Sequence, residues 1–139
     1  MKTLIKWQEE QKINMSDTTK SFMAMQYVDV RPWGEYQVMH EDDNCKVKKI
    51  IVSAESKLSY QYHAHRKEQW VVIKGQLTVV LNGVERALNP GMGITIYPGD
   101  KHRAWNKTDA PVEFIEVQTG TYFGEDDIVR IEDDYGRQD

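Results

Sequence analysis

A chain of 139 residues, 40% of them hydrophobic, has the size and composition of one globular domain with a usable core. Its formal net charge of -4 removes the general electrostatic case for a nucleic acid or an anionic membrane as partner. A single cysteine, Cys45, excludes an internal disulfide and accords with a reducing cytoplasm, while apolar runs such as Trp70-Val71-Val72-Ile73 fall far short of a bilayer span. Residues 1–25 are polar and weakly periodic. Leu4 and Trp7 share a face of a helix too short to be stable alone. A short N-terminal arm over residues 1–25 is therefore expected, loose or docked on a partner subunit, ahead of a single domain over 26–139. Lys6 and Gln8 interrupt Leu4-Ile5, so no signal-peptide core is expected.

From Val28 to about Thr119 the pattern is β. Strands are expected at 46–52, 69–73, 76–81 and 84–88, where β-branched and aromatic residues are dense and the runs short. Lys74-Gly75, Asn82-Gly83, Asn89-Pro90-Gly91 and Tyr97-Pro98-Gly99 punctuate them as turns. Asn82-Gly83 lies between two strand-like runs and predicts a tight hairpin. Short strands with no helical stretch between them predict an all-β antiparallel sandwich or barrel. From Gly120 the chain is acidic, yet Tyr122, Phe123, Ile128, Val129 and Ile131 interleave the carboxylates. That mixture predicts a tail packed on the barrel rather than a disordered one.

Chemistry concentrates around the histidines, of which there are four. Gln61, His63 and His65 alternate and so share a strand face. Glu68 follows a turn, and His102 follows Pro98-Gly99. Imidazole, amide oxygen and carboxylate all suit a borderline or hard divalent metal. Two histidines two residues apart are ordinary on a surface strand. Glu68 seven residues before Gly75, and His102 four before Asn106, make the set distinctive. Together these residues resemble the two-part signature of the cupin superfamily, although Pro98 stands four rather than five residues before His102. The resemblance implies a double-stranded β-helix, a jelly-roll barrel, with one divalent metal ion in its mouth.

A narrower resemblance runs from Arg31 onward. It rests on Arg31-Pro32-Trp33-Gly34, the stretch from Leu58 to Val72, Ile115-Glu116-Val117-Gln118-Thr119-Gly120, Gly124-Glu125-Asp126-Asp127-Ile128-Val129-Arg130 and Asp134-Tyr135-Gly136-Arg137. These are similar to the type II phosphomannose isomerase domain, usually the C-terminal half of bifunctional mannose-1-phosphate guanylyltransferases. The resemblance implies interconversion of mannose 6-phosphate and fructose 6-phosphate. The family commonly has histidine where this chain has Gln69. The nine glycines are dispersed through turns and form no triphosphate loop, so guanylyltransferase activity is not expected of this chain.

Two ligand sets compete under the resemblance. The common cupin reading pairs His63 with His65. Only Arg66 and Lys67 separate His65 from Glu68, however, where the superfamily leaves three or four residues. Counting from His63 restores the spacing and puts the first ligand on Gln61, as in the glutamine-x-histidine pair of type I phosphomannose isomerases. The expected ligands are Gln61, His63, Glu68 and His102, and the expected ion is zinc. His65 and Glu116 are the candidate proton carriers, with a spare ligand and a rim ion pair as their plainer roles. Gln118 shares a strand face with Glu116 and is a candidate substrate contact. Arg66, Lys67, Arg103, Arg130 and Arg137 are the candidate phosphate contacts. The expected partners are a small sugar phosphate and a second copy of the chain, because both faces of the Trp70–Ile73 strand want burial. A non-catalytic metal or sugar-phosphate cupin, or a metal dioxygenase, is the alternative function.

Overall fold

The computed structural model describes residues 27–136, so the expected N-terminal arm and Arg137 lie outside the described residues. The described chain is all strand and loop: β1 (Tyr27–Arg31), β2 (Gly34–Glu41), β3 (Cys45–Val52), β4 (Tyr60–Tyr62), β5 (Arg66–Lys74), β6 (Leu77–Leu81), β7 (Val84–Leu88), β8 (Gly93–Ile96), β9 (His102–Trp105), β10 (Val112–Gly120) and β11 (Val129–Glu132). One sheet runs β1-β2-β3-β10-β5-β8 and the other β11-β4-β9-β6-β7. Every pairing is antiparallel. No described helix is long and apolar enough to cross a membrane.

The inner face of the first sheet explains where a site can form. β3, β5 and β10 alternate in the usual period of two, and their inward residues are apolar toward one end of the barrel and polar toward the other. The register aligns the layers. Phe114 stands opposite Ile50 and Val72, Glu116 opposite Lys48 and Trp70, and Gln118 opposite Lys46 and Glu68. Val52, Val72, Leu77, Val79, Val112 and Phe114, all fully buried, therefore close one end of the barrel. Each contributes about 1.5–3 kcal/mol of apolar burial, which offsets the desolvation of the polar layer above it.

Local chemistry places the connections. Asn82 (φ 47°) and Gly83 (φ 82°) both lie in the left-handed region, as the two-residue hairpin joining β6 and β7 requires. Gly34 (φ 147°) approaches β3 so closely that a Cβ would collide with the Ile51 carbonyl oxygen. The acidic tail does pack on the barrel: Phe123 is buried, and β11 pairs with β4.

One expectation fails in an instructive way. Gln61, His63 and His65 do not share a strand, because β4 ends at Tyr62. Asp127 accepts hydrogen bonds from the Ala64 and His65 N–H groups at 2.9 and 3.0 Å. Those amides bond to the tail, the chain bends there, and the alternation is lost.

Candidate metal centre

His63, Glu68 and His102 converge at the polar end of the barrel. One donor atom from each lies within 4.8 Å of the others, and all three residues are buried. His63 leaves β4, Glu68 points inward from β5, and His102 opens β9. Gln61 pairs with His102 across the β4–β9 ladder and lines the same cavity. Its amide nitrogen donates to the Ser59 carbonyl and hydroxyl at 3.3 and 3.0 Å, which sets the plane of the amide.

Second contacts orient both imidazoles. His63 Nδ1 donates to the Asp127 carbonyl at 2.6 Å, and His102 Nδ1 donates to the Asp100 carbonyl at 2.8 Å. With the proton on Nδ1, each Nε2 offers its lone pair, the arrangement that metal-binding histidines use. Burial, then the Arg66 charge and His102, push the His63 imidazole down to about 3, so it is neutral near pH 7. Its 3.3 Å contact with Glu68 is therefore not an ion pair at that pH. Burial works to raise Glu68, but the Arg66 guanidinium at 2.8 Å and His102 hold its carboxyl below the ordinary range. Two imidazoles whose Nδ1 atoms are committed to backbone carbonyls, together with a carboxylate, fit a divalent ion. Arg66 Nη2 also lies 3.2 Å from His63 Nε2, so this contact and an ion bound at that lone pair exclude one another.

The depressed imidazole has a consequence for acid stability. The unfolded chain binds the His63 proton near pH 6.5 and the folded chain only near 3. Stability is thus fully present above about pH 6.5 and falls as pH drops from there toward 3, by up to about 1.4 kcal/mol per unit. In metal-free buffer the melting temperature of the parent is expected to fall more steeply between pH 7 and 4 than that of His63→Gln. Parallel curves would remove His63 from this role.

Glu116 lies beside this group. Trp70 Nε1 donates to Glu68 Oε1 at 3.0 Å and to Glu116 Oε2 at 3.1 Å, so one indole N–H bridges the two carboxyls. Gln118 donates to Glu116 Oε1 at 2.6 Å. Burial, followed by the Glu68 charge, raises the Glu116 carboxyl above its ordinary value. Cations line the same cavity: Arg31, Lys48 and Arg66 from the first sheet and Arg130 from the second.

The other expected site residues are placed elsewhere. His65 is exposed in the bend, packs edge-on to Tyr122 and does not line the cavity, so the shared inward face behind its assignment as proton carrier does not exist. Lys67 lies beside the Tyr97 ring at 5.4 Å. Arg103 is buried against the Leu58 carbonyl at 2.8 Å and Glu132, tying β9 to the tail, and does not line the cavity. Gln118 reaches the site only through Glu116. Gln69, where the family commonly has histidine, faces outward and bonds Thr95 at 2.8 Å, so that departure leaves the cavity untouched.

Several site residues escape the sequence reading. Lys48 is buried, stacks on Tyr36 at 4.1 Å and pairs with Glu125 at 2.6 Å. Its signal is two lysines, Lys46 and Lys48, on the inward face that continues into Ile50 and Val52. Trp70 reads as core, which it is, yet its N–H also serves the site. Asp127 leaves no local signal, since its partners are more than 60 residues away in the chain.

The chain is similar to known proteins in sequence and in fold. A family model, Mannose-6-phosphate isomerase C-terminal, matches residues 18–133. Mannose-1-phosphate guanylyltransferase ManC of Salmonella typhimurium (strain LT2) is 42% identical over 107 residues, covering 77% of this chain and 22% of ManC. Alginate biosynthesis protein AlgA of Pseudomonas aeruginosa is 41% identical over the same length and the same shares. The chain thus spans about a fifth of these curated relatives. Among solved structures, a protein with a double-stranded β-helix domain from Klebsiella pneumoniae subsp. pneumoniae MGH 78578 superposes with a TM-score of 0.64 at 24% identity, over 74% of this chain and 90% of that one. The nucleoside dehydratase Pac13 does so with a TM-score of 0.65 at 16% identity, over 79% and 88%. With the barrel, the histidine-carboxylate cluster and a family match over most of its length, this chain belongs to the C-terminal domain family of mannose-6-phosphate isomerase and has the cupin fold.

Proposed function

We propose that this domain interconverts mannose 6-phosphate and fructose 6-phosphate. The observation that supports the reading best is the company of Glu116. A buried carboxyl of raised proton affinity shares one indole N–H with Glu68, in a cavity that also holds two imidazoles and four cations. Gln61, His63, Glu68 and His102 would hold one divalent ion, zinc in this proposal, and that ion supplies Lewis-acid polarisation of the sugar carbonyl.

Isomerisation moves one proton between adjacent carbons. Glu116 takes the C2 proton of the open-chain aldose, leaving an enediol, and returns it to C1. The hydroxyl proton passes from O2 to O1, so the product differs from the substrate only in where the carbonyl lies. A carboxyl of raised proton affinity suits this task, because it is a stronger base than an ordinary carboxylate. Trp70 and Gln118 fix both Glu116 oxygens. The apolar layer below closes the cavity floor to water.

The phosphate dianion is assigned to the cations that line the cavity. Arg130, opposite Gln61 on β11, is the proposed phosphate contact, joined by Arg137 from the resemblance. Arg130→Ala is expected to weaken sugar-phosphate binding by about ten- to a hundredfold, the cost of one charge-assisted contact. Unchanged binding by both Arg130→Ala and Arg137→Ala in calorimetry would refute the assignment.

A coupled assay for fructose 6-phosphate formation from mannose 6-phosphate, with divalent metal present, tests the function. Turnover supports it. Binding without turnover would leave a non-catalytic sugar-phosphate cupin. We also propose that two copies pair through the outer face of β5, where Val71 and Ile73 are 41% and 50% exposed. A dimeric mass in light scattering at micromolar concentration is expected, and a monomeric one would refute the pairing.

A further inference from the structure

We propose a second metal site, on the outside of the barrel, where His40, Asp42 and Cys45 bind a thiophilic divalent cation of the zinc class. One donor atom from each residue lies within 4.8 Å of the others. The site sits at the turn between β2 and β3. It is independent of the cavity, because Cys45 lies on the outer face of β3 while its neighbours Lys46 and Lys48 point inward.

An irregularity in the ladder assembles the site. β2 pairs Val38 with Lys48 and then His40 with Val47, so the register shifts by one residue at Met39. In an unbroken ladder His40 would stand opposite Lys46 and share its inward face. The extra residue turns His40 to the face of Val47 and Cys45, since a one-residue slip exchanges the two faces. A bulge that re-aims one side chain toward a cysteine and a carboxylate is the feature that points to a ligand.

The turn then holds the carboxylate in place. Asp42 Oδ1 accepts the N–H groups of Asn44 and Cys45 at 2.8 and 2.9 Å, and the Asp42 N–H donates to the Cys45 carbonyl at 3.0 Å. The other oxygen, Oδ2, faces His40 Nε2 at 2.9 Å. His40 and Asp42 side chains are 39% and 46% exposed, so an ion from solvent can reach them. Thiolate with imidazole selects zinc-like ions over magnesium or calcium, and three protein donors leave a position for water. The ion replaces the protons on the imidazole nitrogen and the thiol, which pass to solvent.

The single cysteine makes the test specific. Cobalt(II) is titrated into the full chain and the thiolate-to-cobalt charge-transfer band is read in the near ultraviolet. The parent is expected to show the band, saturating at one cobalt for each Cys45, and zinc to bleach it. His63→Ala is expected to keep it and Cys45→Ser to abolish it. His40→Ala and Asp42→Asn are expected to weaken it by at least about tenfold in affinity. Asp42→Asn retains an oxygen for the turn N–H groups, so its loss of binding is not a loss of fold. Absence of the band at saturating cobalt would overturn the proposal. So would a band that keeps the parent's affinity in both His40→Ala and Asp42→Asn.

Discussion

Glu116→Gln is expected to lower kcat by about a hundred- to ten-thousandfold, the usual worth of a general acid-base group, while leaving the fold and sugar-phosphate binding near those of the parent. The substitution is close to isosteric. It places an amide where Trp70 Nε1 and Gln118 Nε2 both donate. Gln118 Oε1 is buried without a hydrogen-bond partner, so rotating the Gln118 amide would offer an acceptor to the new N–H. What disappears is the carboxyl that burial and Glu68 hold above its ordinary proton affinity. The acid limb of the parent's kcat profile is set by that group, with the rate falling as pH drops through the raised value, and it should vanish in the variant. A kcat within about threefold of the parent would remove Glu116 from the proton transfer.

The second large effect concerns the metal. His63→Ala and His102→Ala are each expected to lose stoichiometric divalent metal and, with it, isomerase turnover. Both Nε2 atoms point into the cavity because both Nδ1 protons are committed to backbone carbonyls. Removing either leaves Glu68 with Arg66 as its principal charged partner. Gln61→Ala is expected to weaken binding by at least about tenfold. His65→Ala should match the parent, since His65 lies in the exposed bend against Tyr122. Metal content after dialysis, measured in a Cys45→Ser background so that only the cavity is counted, checks all four variants. Equal metal in His63→Ala and the parent would refute the site. Loss in His65→Ala with retention in Gln61→Ala would exchange the fourth ligand.

The barrel is legible from local chemistry. Dense β-branched and aromatic residues in the short runs 46–52 and 69–73 tell strand from helix, and Asn82-Gly83 can serve a tight hairpin because both residues tolerate positive φ. Spacing brings out His63, Glu68 and His102 for a related reason. His63 leaves the short β4 and Glu68 follows on β5 across one bend, while His102 opens β9 after the Pro98-Gly99 turn, and those short separations are written in the chain. Only the tertiary structure decides what surrounds them. The alternation through Gln61, His63 and His65 fails because Asp127, more than 60 residues away in sequence, takes the two N–H groups of the bend and turns His65 outward. Lys67 and Arg103 read as phosphate contacts by charge alone, and their strands carry them elsewhere. Glu116, Lys48 and Trp70 meet because β10 is laid between β3 and β5 in one register. Such pairings join residues up to about 70 positions apart. Their register is set by burying one apolar layer across three strands at once, a condition that no single segment contains.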